Sequence, residues 1–103
     1  RSFLHVYDTV TALTCILKKG KNGEIYNIGS DIGSEYTVND VADILISIIK
    51  PNDNFNDWKI YIKNRPFNDK RYFIDNKKLK SLGWNITIDF KKGLLDLISG
   101  VKI

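Results

Sequence analysis

The sequence predicts a small α/β protein, and three features of the chain support this. Its 103 residues, 43% of them hydrophobic, suit one domain with a core of its own. Helical repeats of apolar residues alternate along the chain with short runs that are typical of β-strands. Glycine, proline and asparagine separate these segments, without internal repeats or a linker. We therefore expect about four helices that alternate with short strands.

The start of the chain predicts a strand over residues 2–6 and a helix behind it. Asp8 has a side chain that suits an N-cap. Four apolar residues then recur at helical spacing and predict the face that packs on the core: Val10, Leu13, Ile16 and Leu17. Gly20 can adopt the left-handed conformation that ends many helices, so we expect the first helix to end there.

A second strand and helix are predicted in the next third of the chain. Residues 24–28 form a short β-favouring run. Thr37 and Asp40 have the spacing of a capping box, with aspartate in place of the commoner glutamate. Apolar residues hold helical spacing behind this box, and Pro51 forbids continuation of the helix.

The second half of the chain predicts a further strand and two shorter helices. Residues 58–62 alternate between apolar and polar side chains, as a half-buried strand does. Asp75 and Asp89 are placed to cap the two helices, and Gly83 is placed to end the first. Trp84 follows, and we expect it to pack where the chain turns.

Composition excludes several classes of protein. The single cysteine, Cys15, excludes a disulfide framework, and the single histidine, His5, excludes a multi-histidine metal site. We expect a small buried thiol and a structural histidine at these positions. No apolar run is long enough to span a membrane, so we expect a cytoplasmic protein. The net charge of +4 weakly favours an anionic partner, but the lysines are scattered among acids, which makes a nucleic-acid partner a weak alternative.

No catalytic, cofactor-binding or metal site is predicted within the chain. Asp69 and Asp75 could act as an acid–base pair, but a six-residue separation across a turn fixes no geometry. Gly29 and Gly33 lack the order of strand, GxGxxG and helix that binds a dinucleotide. The strand-like run directly after Arg1 and the apolar stripe cut short at Ile103 lead us to expect part of a longer protein.

The densest candidate for binding is the segment Asn64-Arg65-Pro66-Phe67-Asn68-Asp69-Lys70-Arg71-Tyr72. Guanidinium groups make bidentate contacts to phosphate, and Pro66 stiffens the loop directly after Arg65. The alternative is a solvated turn with an ion pair between Arg65 and Asp69, and the residues alone leave both open. Arg1 is equally undecided between solvent, an acidic side chain and an anionic ligand.

Four motifs, in order over essentially the whole chain, resemble the C-terminal part of the extended short-chain dehydrogenases. They are Arg1-Ser2-Phe3-Leu4-His5-Val6-Tyr7-Asp8, Gly23-Glu24-Ile25-Tyr26-Asn27-Ile28-Gly29, Asn64-Arg65-Pro66-Phe67-Asn68-Asp69-Lys70-Arg71-Tyr72-Phe73-Ile74-Asp75 and Leu82-Gly83-Trp84. The first, second and last are shared with epimerases and decarboxylases of that superfamily. The third, with its pattern Arg-Pro-x-x-Asp-x-Arg-Tyr-x-x-Asp, resembles the motif of the nucleotide-sugar 4,6-dehydratases. Its residues Asn64 to Asp69 are especially similar to those of the UDP-glucose enzymes of rhamnose synthesis.

The resemblance implies that residues 1–103 are the substrate-binding portion of an NAD-dependent lyase whose Rossmann domain is absent from this chain. Such enzymes oxidise UDP- or dTDP-glucose at carbon 4, eliminate water between carbons 5 and 6, and return the hydride to carbon 6. In relatives the glycine-rich fingerprint, the Tyr-x-x-x-Lys pair and the acid–base carboxylate all lie upstream. The resemblance therefore implies that NAD is bound by the upstream domain, that the parent is a homodimer, and that the isolated chain is inactive.

The resemblance also implies a set of residues that bind a nucleoside diphosphate sugar: Arg1, Thr37, Asn64, Arg65, Pro66 and Asn68. Arg1 matches an arginine that reaches the substrate diphosphate, and Arg65 matches a phosphate ligand in the loop that lines the nucleotide end. Thr37 matches a helix-capping residue that can touch the substrate. We expect the guanidinium groups of Arg1 and Arg65 to converge on the diphosphate. An epimerase or decarboxylase, or a basic non-catalytic binding module, remains the alternative.

Overall fold

A computed structural model of the chain describes residues 1–66 and 73–100. Within these ranges the regular structure is helical. The elements are α1 (Val6–Lys19), α2 (Val38–Ile49), a 3₁₀ turn (Phe55–Trp58), α3 (Lys77–Lys80) and α4 (Phe90–Ser99). The four predicted helices are therefore present.

The predicted strands do not form in the part of the chain that the structure describes. Residues 2–6 run into α1, while residues 24–28 and 59–62 follow irregular paths. Ile60 and Ile62, predicted to lie half-buried on one side of a strand, are 90% and 87% exposed. A strand requires a neighbour that accepts and donates its backbone hydrogen bonds. Among the described residues these segments have no such neighbour beyond one isolated bridge between Ser2 and Glu35. The prediction of alternating strands is therefore not confirmed for these ranges.

His5, and not Asp8, caps the N-terminus of α1. The His5 Nδ1 accepts the backbone N–H of Tyr7 at 3.0 Å, which gives this histidine the structural role that the sequence predicts. Asp8 lies in the first turn of α1 and is completely buried. Its carboxylate accepts the N–H of Thr87 at 3.0 Å, the Thr87 hydroxyl at 2.8 Å and the N–H of Ile88 at 3.0 Å. Asp8 therefore joins α1 to the segment before α4.

The apolar stripe predicted to face the core faces outward along most of α1. Val10, Leu13 and Leu17 are 54%, 56% and 86% exposed, and only Ile16 of the four predicted residues packs against the core. The helix instead packs through the face that carries its buried alanine. The core cluster contains three buried side chains: Ala12, Leu79 and Trp84.

Glycines end α1 and α3 for different reasons. Gly20 has φ of −66°, so the predicted left-handed conformation is wrong. Glycine is required there because a Cβ atom would lie 2.5 Å from the carbonyl oxygen of Ile16. Gly83 has φ of +97°, a conformation that side chains disfavour, and it ends the turn that follows α3 as predicted.

The predicted caps of the later helices are largely confirmed. Thr37 caps α2 with a complete capping box, and the helix ends at Ile49, before Pro51. The Asp89 carboxylate accepts the N–H of Lys92 at 3.3 Å and caps α4. At α3 the N-cap position belongs to the residue after Asp75, but the Asp75 carboxylate still accepts the N–H of Lys77 at 2.8 Å.

The molecule is less compact than a globular domain of the same length. Its Cα radius of gyration is 16.8 Å, whereas a compact chain of about 100 residues has about 13 Å. Among residues 1–66 and 73–100, the hydrophobic side chains that are buried are Ala12, Ile46, Leu79 and Trp84. The helices of these ranges are all too short or too polar to cross a membrane.

Candidate functional site

Arg1 is held beside the N-terminus of α2 by backbone pairing. Its backbone nitrogen donates to the carbonyl oxygen of Tyr36 at 2.8 Å, and the Tyr36 N–H donates to the carbonyl oxygen of Arg1 at 2.8 Å. An isolated antiparallel bridge between Ser2 and Glu35 continues this pairing. Because Tyr36 directly precedes Thr37, two of the predicted site residues, Arg1 and Thr37, lie close together.

Thr37 is fixed by its capping box with Asp40. The Thr37 hydroxyl oxygen accepts the N–H of Asp40 at 3.0 Å, and the Asp40 carboxylate accepts the N–H of Thr37 at 3.0 Å. The hydrogen bond from the Thr37 backbone lowers the pKa of Asp40. The contribution of this carboxylate to folding is therefore present above its ordinary pKa and is lost as the pH falls through the lowered value. The Thr37 hydroxyl proton remains a possible donor to a ligand.

We expect Thr37→Ala to lower the free energy of unfolding by about 1 kcal/mol, because the N–H of Asp40 loses its acceptor. Thr37→Ser is the matched control, since serine retains the hydroxyl, and we expect it to change stability by less than about 0.5 kcal/mol. Urea unfolding followed by circular dichroism measures both. Equal stability of the alanine and serine variants would contradict a capping role.

The segment that leads to Arg65 is fastened to α2 through Lys59. The Lys59 ammonium group lies 2.7 Å from the Asp43 carboxylate and 2.8 Å from the Asn39 side-chain oxygen, and its side chain is 11% exposed. The hydrogen bond to Asp43 raises the pKa of Lys59. The Tyr61 hydroxyl donates to the same Asn39 oxygen at 3.1 Å. Asn39 and Asp43 lie one turn apart on α2, so residues 59–61 follow its first two turns.

Asn64, Arg65 and Pro66 follow this fastened segment and are exposed to solvent. Arg65 lies four residues beyond Tyr61, a separation that an extended chain spans in at most about 14 Å. The segment before Arg65 is thus attached to the first two turns of α2. The segment of Arg1 is attached to Tyr36, which precedes the N-cap of the same helix. Asn68 lies outside the described residues, as do all of residues 67–72, which form the middle of the motif over residues 64–75. The convergence of the two guanidinium groups stays a prediction.

The fastening residues Lys59, Asn39 and Asp43 were not predicted as part of a site. The sequence contained one signal of them, because Asn39 and Asp43 are polar residues at a spacing that places them on one face of the predicted helix. The interpretation of residues 58–62 as a strand concealed the role of Lys59. In that interpretation the apolar neighbours of Lys59 face the core, whereas in the structure Lys59 is less exposed than they are.

An apolar cavity of about 330 Å³ lies between the first residues of the chain and α4. The ring of Phe90 stacks on Tyr36 with centroids 4.1 Å apart and lies 5.2 Å from the ring of Phe3. All three side chains line the cavity, and none of the predicted binding residues within the described ranges does.

The glycines of the loop before α2 have structural roles. A Cβ atom on Gly29 would lie 2.9 Å from the carbonyl oxygen of Ile74, so glycine permits two segments to cross closely. Gly33 has φ of +93° and forms a turn.

Cys15 is half-buried, with its Sγ 3.7 Å from the carbonyl oxygen of Leu82. Over residues 1–66 and 73–100, no three His, Cys, Asp or Glu side chains are grouped so that they could hold a metal ion.

Comparison with known proteins finds relatives that are named as nucleotide-sugar 4,6-dehydratases. The chain is 40% identical over 97 residues to the human dTDP-D-glucose 4,6-dehydratase, a match that covers 91% of the chain and 27% of the human protein. It is 40% identical over 94 residues to a trifunctional UDP-glucose 4,6-dehydratase/UDP-4-keto-6-deoxy-D-glucose 3,5-epimerase/UDP-4-keto-L-rhamnose-reductase of Arabidopsis thaliana, covering 91% of the chain and 14% of that protein. The dTDP-D-glucose 4,6-dehydratase of Dictyostelium discoideum is 34% identical over 125 residues, covering 91% of the chain and 28% of that protein.

No protein-family model matches the chain. The chain spans about a quarter of the length of the human relative, so the match concerns one segment of a longer enzyme. Within that segment the similarity extends over nine-tenths of the chain and is shared by animal and plant proteins. The resemblance found in the four motifs is therefore confirmed, and the chain is similar to a segment of the nucleotide-sugar 4,6-dehydratases.

Proposed function

We propose that the chain is the nucleotide-sugar-binding portion of a longer NAD-dependent dehydratase that converts UDP- or dTDP-glucose to the 4-keto-6-deoxy sugar. The reaction class is supported by the relatives, which are named as dTDP-glucose and UDP-glucose 4,6-dehydratases. The observation that carries the binding role is the attachment of the Arg1 segment and of the segment before Arg65 to one end of α2.

In this proposal the chain binds and orients the diphosphate of the substrate. Arg1 and Arg65 each present a planar guanidinium group that can donate two parallel hydrogen bonds to phosphate oxygens. Pro66 restricts the backbone beside Arg65, so less conformational entropy is lost when the arginine engages its ligand. Thr37, Asn64 and Asn68 supply hydroxyl and amide groups for further polar contacts.

The dinucleotide belongs, in this proposal, to a part of the enzyme outside these residues. NAD supplies the hydride-accepting chemistry of the dehydratase when it is bound there. Gly29 does not fit a phosphate cradle, because the carbonyl oxygen of Ile74 lies 2.9 Å from where its Cβ atom would be. We accordingly expect the isolated chain to be inactive and its contribution to be affinity and orientation.

We expect Arg65→Ala, in the full-length enzyme, to weaken nucleotide-sugar binding by about 1.5–3 kcal/mol, the usual range for a hydrogen bond to a charged group. Arg65→Lys should also lose affinity, because the ammonium group cannot form the bidentate contact. Isothermal titration calorimetry with dTDP-glucose and UDP-glucose measures these losses.

Lys63→Ala is the matched control for Arg65. Lys63 lies in the same exposed segment and carries the same charge, but it is outside the predicted set. We expect the binding free energy of the Lys63→Ala variant for the nucleotide sugar to remain within about 0.5 kcal/mol of that of the unchanged protein. Equal losses at Lys63 and Arg65 would indicate a general charge effect. Retention on DNA that weakens with salt, without a rise of melting temperature on addition of UDP or dTDP, would support a basic binding module instead.

A further inference from the structure

Helix α1 has a second apolar face that points away from the core. Val6, Val10, Leu13 and Leu17 are spaced by four, three and four residues, so they form one continuous stripe along the helix. Their exposed fractions are 67%, 54%, 56% and 86%. Tyr7, on the flank of the stripe, is 55% exposed. A stripe of this length is unusual for a face that remains in water.

The helix cannot bury this stripe by rotating about its own axis. Its opposite face is anchored by the three hydrogen bonds that the Asp8 carboxylate accepts from Thr87 and Ile88. The Trp84 indole N–H adds a hydrogen bond of 3.2 Å to the Asp8 carbonyl oxygen, and Ala12 is fully buried on the same side. The stripe therefore requires a covering surface from elsewhere.

We propose that this face of α1 is the docking surface for the polypeptide of the longer dehydratase that lies outside these 103 residues. The inference rests on the proposed function and goes beyond it, because it assigns an intramolecular interface and not a ligand. The length of the relatives supports this occupant, since the matched segment is only 27% of the human protein. Helices that are apolar on both faces are typical of positions inside larger proteins.

The chemistry of the stripe favours an apolar protein surface as its occupant. Between Val6 and Leu17 the one charged side chain is Asp8, and it points into the core. Lys18 and Lys19 follow only at the C-terminal end of the helix. Amphipathic helices that lie on anionic membranes carry basic residues along their polar face, and α1 instead has a packed core there.

Thiol labelling of the full-length protein tests this interface. Leu17→Cys, in a Cys15→Ala background, places a reporter in the stripe, and Asn22→Cys places a matched reporter in the exposed turn after α1. We expect a maleimide to label position 17 at least about tenfold more slowly than position 22 in the folded protein, and at equal rates in urea. Val10→Cys provides a second position in the stripe if Leu17→Cys fails to fold.

Equal labelling rates at positions 17 and 22 in a protein that unfolds cooperatively would overturn the proposal. Protection that grows with protein concentration would assign the face to a second copy, and protection that requires phosphatidylserine vesicles would assign it to a membrane. Either result also overturns it. Labelling is measured without nucleotide sugar, so its failure is distinct from a failure of the proposed function. A protein that binds dTDP-glucose while position 17 labels rapidly would keep the function and lose this interface.

Discussion

Replacing Asp8 with alanine is expected to lower the free energy of unfolding by about 3–5 kcal/mol, because three hydrogen bonds to a carboxylate are lost at about 1.5–3 kcal/mol each, less what relaxation recovers. The carboxylate is completely buried and is the acceptor of two backbone N–H groups, those of Thr87 and Ile88. The variant leaves both donors without their partner inside the protein, and this penalty accounts for much of the loss. Urea unfolding of the full-length protein measures it.

Two variants separate the buried network from a general loss of negative charge. Asp96→Ala removes an exposed carboxylate from α4, and we expect a change within about 0.5 kcal/mol. Asp8→Asn can keep its one acceptor oxygen on Thr87, but its NH₂ group then lies beside the N–H of Ile88, so we expect a loss smaller than that of alanine. A loss below about 1 kcal/mol in Asp8→Ala would show that water or a shifted segment satisfies the two donors.

The case of Asp8 also shows where inference from the sequence stops. Its residue type and its position before an apolar stripe are those of an N-cap, and local pattern alone assigns it that role. Its partners lie 79 and 80 residues further along the chain, at a distance that no local pattern encodes. The helix begins earlier than the local pattern indicates, and His5 caps it.

Helix positions could be predicted, but the direction in which a helix faces could not. Periodicity correctly located α1. However, a helix with two apolar faces shows the same helical spacing of apolar residues as a helix with one. The spacing therefore does not tell which face packs on the core, and the more hydrophobic stripe is the one that the pattern favours. The buried face contains Ala12, whose small side chain lets the helix approach Leu79 and Trp84 closely. A capping box is a local device, and for that reason Thr37 and Asp40 were predicted correctly together with the start of α2.

Strands were predicted from side-chain pattern, but pairing depends on a neighbour. The alternation over residues 58–62 is real in the sequence, and Ile60 and Ile62 are exposed because no sheet accepts them in the described ranges. The candidate site likewise has one part that the sequence could predict and one part that depends on contacts between distant residues. The residue types at Arg1 and Arg65 left a phosphate ligand open and the resemblance implied it, while the attachment of the second segment to α2 by Lys59 depends on tertiary contacts.

Trp84→Ala is expected to lower the free energy of unfolding by about 3–5 kcal/mol, the usual range for removal of a buried aromatic side chain. The sequence predicted that Trp84 packs where the chain turns, and in the structure it is 4% exposed and forms the core with Ala12 and Leu79. A core of so few buried side chains has little capacity to close around the resulting cavity. Thermal unfolding of the full-length protein measures the loss.

Trp84→Phe divides this effect into packing and hydrogen bonding. The indole N–H donates to the Asp8 carbonyl oxygen at 3.2 Å and to the Thr11 hydroxyl at 3.1 Å, and the Thr11 hydroxyl itself donates to the same carbonyl at 2.9 Å. Phenylalanine therefore leaves no acceptor unsatisfied, and we expect a loss of about 1–2 kcal/mol. Trp58→Ala removes an indole that is 53% exposed and should lose about 1 kcal/mol. Similar losses at Trp58 and Trp84 would contradict the assignment of the core to Trp84.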